Sequence, residues 1–170
     1  MQINGYKLRE AIKKLNLQIE IHENQFDNNT KAFANDDKKS LESITKDWFE
    51  AEDKICSLQE ALNDYNLKVR VDVPGMGKLS LAKIIKLIGP AGRIEKKWRR
   101  LAAPKKDRYD RYDEPGVKEE GKEYAVKTYT IDEAMKMAVV WGDKVAALRG
   151  ALSVANATMV DLDIPGKLFE

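Results

Sequence analysis

Between Leu41 and Tyr65 an apolar residue falls at every third or fourth position without a miss: Leu41, Ile44, Trp48, Ala51, Ile55, Leu58, Leu62 and Tyr65. Such a stripe returns to one side of an α-helix and to no single side of a strand, so it commits the segment to a long helix with one buried edge. The first segment repeats the pattern with Leu8, Ile12, Leu15, Ile19, His22 and Phe26, a heptad seam of the coiled-coil type. Leu17 and Ile21 widen its apolar face. The polar run Asp27-Asn28-Asn29 weakens this helix near its end, Ala34-Asn35-Asp36-Asp37 reads as a turn, and Ser40 or Asp37 is placed to cap the second helix. Two such helices with a short connection fold back as an antiparallel hairpin, each on the order of 40 Å long at about 1.5 Å per residue.

The period then changes to two. Leu67, Val69, Val71 and Val73 alternate with Lys68, Arg70 and Asp72, which predicts a half-buried strand closed by the turn Pro74-Gly75-Met76-Gly77. Ser80 stands as the N-cap of a third helix with Leu81, Ile84, Ile85 and Ile88 on its buried side. Gly89-Pro90 predicts a kink or break, because proline removes a donor and crowds the preceding turn. The helical pattern resumes with Ile94, Trp98 and Leu101 and ends before Pro104. Residues 104–121 read as a surface loop, and a second strand is expected near 124–129. Thr130 and Glu133 form a Thr-x-x-Glu capping box for a fourth helix with the stripe Ala134, Met137, Trp141, Val145, Leu148, Leu152 and Ala155. A short alternating run, Val160, Leu162 and Ile164, closes at Pro165-Gly166.

The expected architecture is therefore mainly α: an elongated helical bundle with a long antiparallel helical hairpin (residues 1–66), and a strand–helix–strand–helix–strand unit (67–170) packed on it as a small accessory β-sheet with its helices, one structural domain in all.

From residue 55 to residue 162 short motifs add a resemblance. Leu62-Asn63-Asp64-Tyr65-Asn66 matches an apolar-Asn-x-x-Asn helix end, and Lys78-Leu79-Ser80-Leu81-Ala82 a helix opening of the Thr-Leu-Thr-Glu-Ala type. Asp107-Arg108-Tyr109-Asp110-Arg111 matches an Asp-Arg-Tyr-Ser-Arg loop, and Ala155-Asn156-Ala157-Thr158 before Asp161-Leu162 a closing Thr-Asn-Trp-Thr-Thr-Glu-Leu. In these the chain resembles the septicolysin-like family of small bacterial and phage proteins. It departs from the family at Gly89-Pro90, where the family helix runs on, and at Ala157, where the family has Trp. The resemblance implies a mostly helical, oligomeric protein and carries no catalytic residue across.

Composition bounds the chemistry. The chain has 170 residues, 30 Lys and Arg against 28 Asp and Glu, and a formal charge of +2, which argues against a wholesale nucleic-acid coat. The single cysteine, Cys56, excludes an internal disulfide and a multi-thiolate zinc site. The start carries no apolar run behind a basic stretch, and no window of about 18 apolar residues occurs, so a cytoplasmic protein without a membrane span is expected.

The loudest local feature is basic. Arg93, Lys96, Lys97, Arg99, Arg100, Lys105, Lys106, Arg108 and Arg111 are opposed by Glu95, Asp107 and Asp110, so nine cations less three carboxylates leaves +6 in this stretch. Arg93, Lys97 and Arg100 share a helix face beside the Ile94, Trp98 and Leu101 stripe. Tyr109 and Tyr112 follow among Arg108 and Arg111. Guanidinium forks match phosphate oxygens and phenol rings stack on bases. The candidate ligand-binding residues are accordingly Arg93, Lys97, Arg100, Lys105, Lys106, Arg108, Tyr109, Arg111 and Tyr112. The same charges also suit a solvated face that holds internal ion pairs.

Other motifs carry less. Pro74-Gly75-Met76-Gly77-Lys78-Leu79-Ser80 fails the phosphate-loop spacing, since one residue separates its glycines and Leu79 follows Lys78; the N-terminus of the third helix with Lys78 can still attract an anion. His22 stands on the heptad seam with no second metal ligand or orienting acid spaced around it, and the acidic run Asp110, Asp113, Glu114, Glu119 and Glu120 lacks calcium-loop spacing. No nucleophile has a partnered base. The expectation is a non-enzymatic, cofactor-free homo-oligomer that captures an anionic small molecule such as a nucleotide, in a phage setting an immune signal. The alternatives are a structural protein assembling through its hairpin and a non-specific nucleic-acid binder.

Overall fold

The two long stripes do form helices, and they do pair. A computed structural model describes residues 1–31, 39–103 and 128–169. In chain order these form strand β1 (Gln2–Ile3), helices α1 (Gly5–Asn29) and α2 (Leu41–Lys68), strands β2 (Arg70–Val73) and β3 (Gly77–Ser80), helices α3 (Leu81–Ala102) and α4 (Ile131–Ala157), strand β4 (Val160–Asp161) and a 3-10 turn (Gly166–Phe169). The class is mainly α, with two small antiparallel sheets.

Each helix of the hairpin starts on a side-chain cap. Asn4 Oδ1 accepts the Lys7 N–H at 3.0 Å, and Ser40 Oγ accepts the Ser43 N–H at 3.2 Å. Of the two caps read from the sequence, Ser40 fills the position. Phe26 meets Trp48 edge to face with ring centroids 6.4 Å apart, while Gly5, at the other end of α1, lies against Tyr65 near the end of α2. The helices are therefore antiparallel. Leu8, Leu15 and Ile19 from α1 and Ala51, Ile55, Leu58 and Tyr65 from α2 share one core. Fully burying one large aliphatic side chain contributes about 1.5–3 kcal/mol, so the stripe is what holds the hairpin closed. Leu17 and Ile21 are not part of it: both are half exposed, on the side of α1 away from the core residues.

Tyr65 locks the far end of this unit. Its hydroxyl lies 2.5 Å from the Ala155 carbonyl and 2.7 Å from the Thr158 carbonyl, so its single proton is shared between two acceptors at the end of α4. A Cβ on Gly5 would fall 2.8 Å from Tyr65 Cε1 and 2.8 Å from Asn156 Oδ1, and only glycine fits there. Beside this lock β1 pairs with β4, Gln2 opposite Asp161 and Ile3 opposite Val160, and the Leu162 N–H extends the ladder to the Met1 carbonyl at 3.0 Å.

Several expectations need correcting. The alternating run from Leu67 begins inside α2, and the strand starts at Arg70. Residues 77–80 are not turn and cap alone but a strand: β2 and β3 form a hairpin with Val73 opposite Gly77 and Arg70 opposite Ser80. Pro74 and Gly75 occupy the centre of a turn closed by the Met76 N–H on the Val73 carbonyl at 2.9 Å, and Gly75 at φ 73° supplies the left-handed conformation that such a turn demands. Ser80 still caps α3 through the Lys83 N–H at 3.3 Å.

Gly89-Pro90 does not break α3, which runs on to Ala102. The pyrrolidine ring is exposed, so the Lys86 carbonyl that it leaves without a donor can take water, and the preceding glycine has no Cβ to collide with the ring. At the other end of the chain only Val160 and Asp161 of the alternating run are strand. Residues 124–127 of the expected second strand lie outside the described residues, and Thr128 and Tyr129 form a bend.

The chain divides into two compact units, residues 1–85 with 150–170, and residues 86–149. The second buries Ala91 from α3 and Ala134, Val145 and Leu148 from α4, with Trp98, Met137 and Trp141 half buried. Its α4 opens on the expected capping box: the Glu133 N–H reaches Thr130 Oγ1 at 3.1 Å, and the Thr130 N–H reaches Glu133 Oε2 at 2.8 Å. Those hydrogen bonds, the backbone one first, hold the Glu133 carboxyl below its ordinary pKa.

Candidate functional site

The helical spacing of the basic residues on α3 survives the passage through Pro90, because the helix is continuous. Arg93, Lys97 and Arg100, at steps of four and three, are all exposed on one face. Lys86, seven residues before Arg93, is exposed on the same line, and Lys96 stands beside Lys97. From Lys86 to Arg100 the row is about 21 Å long at 1.5 Å per residue.

The row is only partly neutralised. Arg99 is held by Glu95, with Nε 2.9 Å from Oε1, and is withdrawn from other anions. Among the described residues no carboxylate pairs with Arg93, Lys96, Lys97 or Arg100. The Arg93 guanidinium lies back along the helix, its Nη1 3.5 Å from where a Cβ on Gly89 would sit. Arg99 and Arg100 also stand in the last turn of α3, where the partial negative charge of the carbonyl end favours them. The helix dipole thus accounts for part of this clustering, but not for Lys86, Arg93 or Lys97, which lie upstream.

Three of the nine candidate residues, Arg93, Lys97 and Arg100, are thus on one helix face. Lys105, Lys106, Arg108, Tyr109, Arg111 and Tyr112 lie outside the described residues, as does the acidic run from Asp110 to Glu120. Lys78 is on β3, exposed and opposite Asp72 in the ladder.

Among the described residues the remaining reactive side chains do not assemble into a site. His22 is half buried on α1, with Nδ1 shielded from solvent and unpartnered. Cys56 is an exposed free thiol on α2. No group of three or more metal-ligating side chains occurs among the described residues, and no helix among them is long and apolar enough to cross a membrane. Burial, ahead of every other influence, pushes the Tyr65 phenol above its ordinary pKa, which keeps it a neutral structural donor.

No family model and no curated protein matches the chain. Among solved structures it is similar to the crystal structure of a functionally unknown conserved protein from Corynebacterium diphtheriae. The TM-score is 0.60 and the identity 15%, over 95% of this chain and 100% of that one. At that identity the likeness concerns the fold alone.

One set of lysines escaped the sequence reading. Lys7 and Lys14 on α1 and Lys54 on α2 line one cavity beside the 3-10 turn. Lys7 and Lys14 stand seven residues apart, which already places them on one side of α1, but Lys54 joins them only once the hairpin register is known.

Proposed function

We propose that this protein is a non-enzymatic binding protein that holds a phosphate-bearing ligand on the cationic row of α3. The observation that supports this reading is the group Arg93, Lys96, Lys97 and Arg100: exposed, within little more than two helical turns, and without a carboxylate partner among the described residues. Like charges at helical spacing repel one another, so an unneutralised row costs stability and attracts a polyanion. Taken with Lys86 upstream, the row Lys86, Arg93, Lys97 and Arg100 is about 21 Å long and open among the described residues, and such a row follows the backbone of a nucleic acid better than it encloses a mononucleotide, which needs a concave pocket. The favoured occupant is therefore a nucleic-acid backbone, with a nucleotide as the smaller alternative.

A gel shift at two ionic strengths tests it. Four cations that displace counterions give a log–log salt slope of about −3.6 on duplex DNA, or roughly a hundredfold loss of affinity between about 50 and 200 mM salt. Changing Arg93, Lys97 and Arg100 together to Glu is expected to abolish the shift and leave the helical circular-dichroism signal unchanged. Binding that survives the triple change, or a triple variant that unfolds, overturns the reading. Calorimetry with cyclic and linear nucleotides separates the smaller alternative.

A second reading, assembly through the helical hairpin, has its own support. Leu17, Ile21 and Phe49 are 50%, 53% and 73% exposed, and apolar side chains are displayed at that level more readily where another surface covers them.

A further inference from the structure

Between α1, α2 and the 3-10 turn lies a cavity of about 290 Å³. Its apolar part is built from Leu15, which is almost fully buried, and from Leu168 and Phe169, which are half buried. Its polar part is Glu10, Gln18 and three lysines, Lys7, Lys14 and Lys54. Among the described residues the one carboxylate in the lining is Glu10, which reaches Lys14 at 3.8 Å. Lys7 and Lys54 have no ionic partner among the described residues. Lys54 is half buried; among the described residues Glu50, one turn before it, forms no ion pair with it, and Asp47, two turns before it, is engaged by Lys39 at 3.2 Å. A lysine at a half-buried position with no ionic partner among the described residues is stabilised by an anion brought from outside.

We propose that this cavity binds a small amphipathic carboxylate, with the carboxylate at the rim lined by Lys7, Lys14 and Lys54 and the hydrocarbon part against Leu15, Leu168 and Phe169. Size and charge select this class. The volume stands at the low end of the ~300–1,000 Å³ of small-molecule sites and, at about 30 Å³ for each water-sized group, takes on the order of ten non-hydrogen atoms. Two uncompensated ammonium groups call for an anion, and a floor of leucine and phenylalanine rewards an apolar body that inorganic phosphate lacks. A linear acid of eight carbons meets both conditions. This site is separate from the α3 row, and the inference does not rest on the function proposed above.

Isothermal titration of the full chain with octanoate, octylamine, butanoate and inorganic phosphate tests it. Octanoate is expected to bind saturably at one site per chain, at least tenfold more tightly than butanoate or phosphate, and octylamine not at all. K7M and K54M are expected each to weaken octanoate by about tenfold; Lys7 is exposed, so K7M keeps the fold, and an unchanged thermal midpoint checks this. The triple Glu variant of α3 is expected to bind octanoate as the parent does. Absence of saturable octanoate heat, equal binding of octylamine, equal binding of phosphate, or full octanoate affinity in a folded K7M protein each overturns the proposal.

Discussion

At the scale of single residues Tyr65 concentrates the most structural consequence. Its hydroxyl is fully buried and serves two backbone carbonyls some ninety residues away in sequence, Ala155 and Thr158. Tyr65→Phe removes the donor from the Thr158 carbonyl and leaves the Ala155 carbonyl only the Thr158 N–H at 3.2 Å, so a loss of about 1–3 kcal/mol in a denaturant titration is expected. Alkaline pH makes the same point independently. A phenol whose pKa is raised in the fold keeps its proton there after the unfolded chain, with its ordinary value near 10, has begun to lose it. Its contribution is complete below that value and declines as pH rises through the higher native one. The stability gap between parent and Tyr65→Phe should therefore be constant at neutral pH and narrow above about pH 10; a gap that stays constant to high pH refutes the account. The role of Tyr65 was half legible. Its place on the α2 stripe marks it as buried, but the partner of its hydroxyl lies at the other end of the chain, and no periodicity reports that.

At the scale of elements, what could be read in the sequence was what repeats. The stripes of α1, α2 and α4 run for six to eight positions, apolar but for His22, and the caps Ser40, Ser80 and Thr130 each sit one residue ahead of a helix start. The strands fail for the opposite reason. Gly77–Ser80 has a single apolar residue, Leu79, and no β-branched one, so its pairing is set by the Pro74-Gly75 turn and by β2, not by its own pattern. β1 and β4 are two residues each and exist only as a long-range pair. Pro90 is the informative exception, since a rule that is sound locally was overridden by helix on both sides. Pro90→Ala restores a donor to the Lys86 carbonyl and relieves the ring, and should raise stability by up to about 3 kcal/mol, read as a higher thermal midpoint. An unchanged or lower midpoint would mean that the proline conformation is itself used by the fold. The α3 row depends on this continuity: Lys86 aligns with Arg93, Lys97 and Arg100 only because the helix passes through Pro90.

At the scale of the whole molecule, a net charge of +2 and an abundance of exposed apolar side chains pull in different directions. So small a charge gives little protection against self-association, while Leu17, Ile21 and Phe49 on the hairpin and Met135, Val139 and Val154 on α4 all stand about half exposed or more. The hairpin residues offer the cleaner test. Leu17 and Ile21 are four apart on one side of α1, and Phe49 belongs to none of the core residues of α2, so none of the three supports the hairpin from within. If they form an assembly surface, Ile21→Lys combined with Phe49→Lys should convert an oligomer to a monomer in light scattering while leaving the thermal midpoint within about 0.5 kcal/mol equivalent of the parent's monomer stability, the usual range for surface changes. A parent protein that is already monomeric at high concentration removes assembly from the account and leaves the α3 row and the lysine-rimmed cavity as the surfaces proposed to bind ligands.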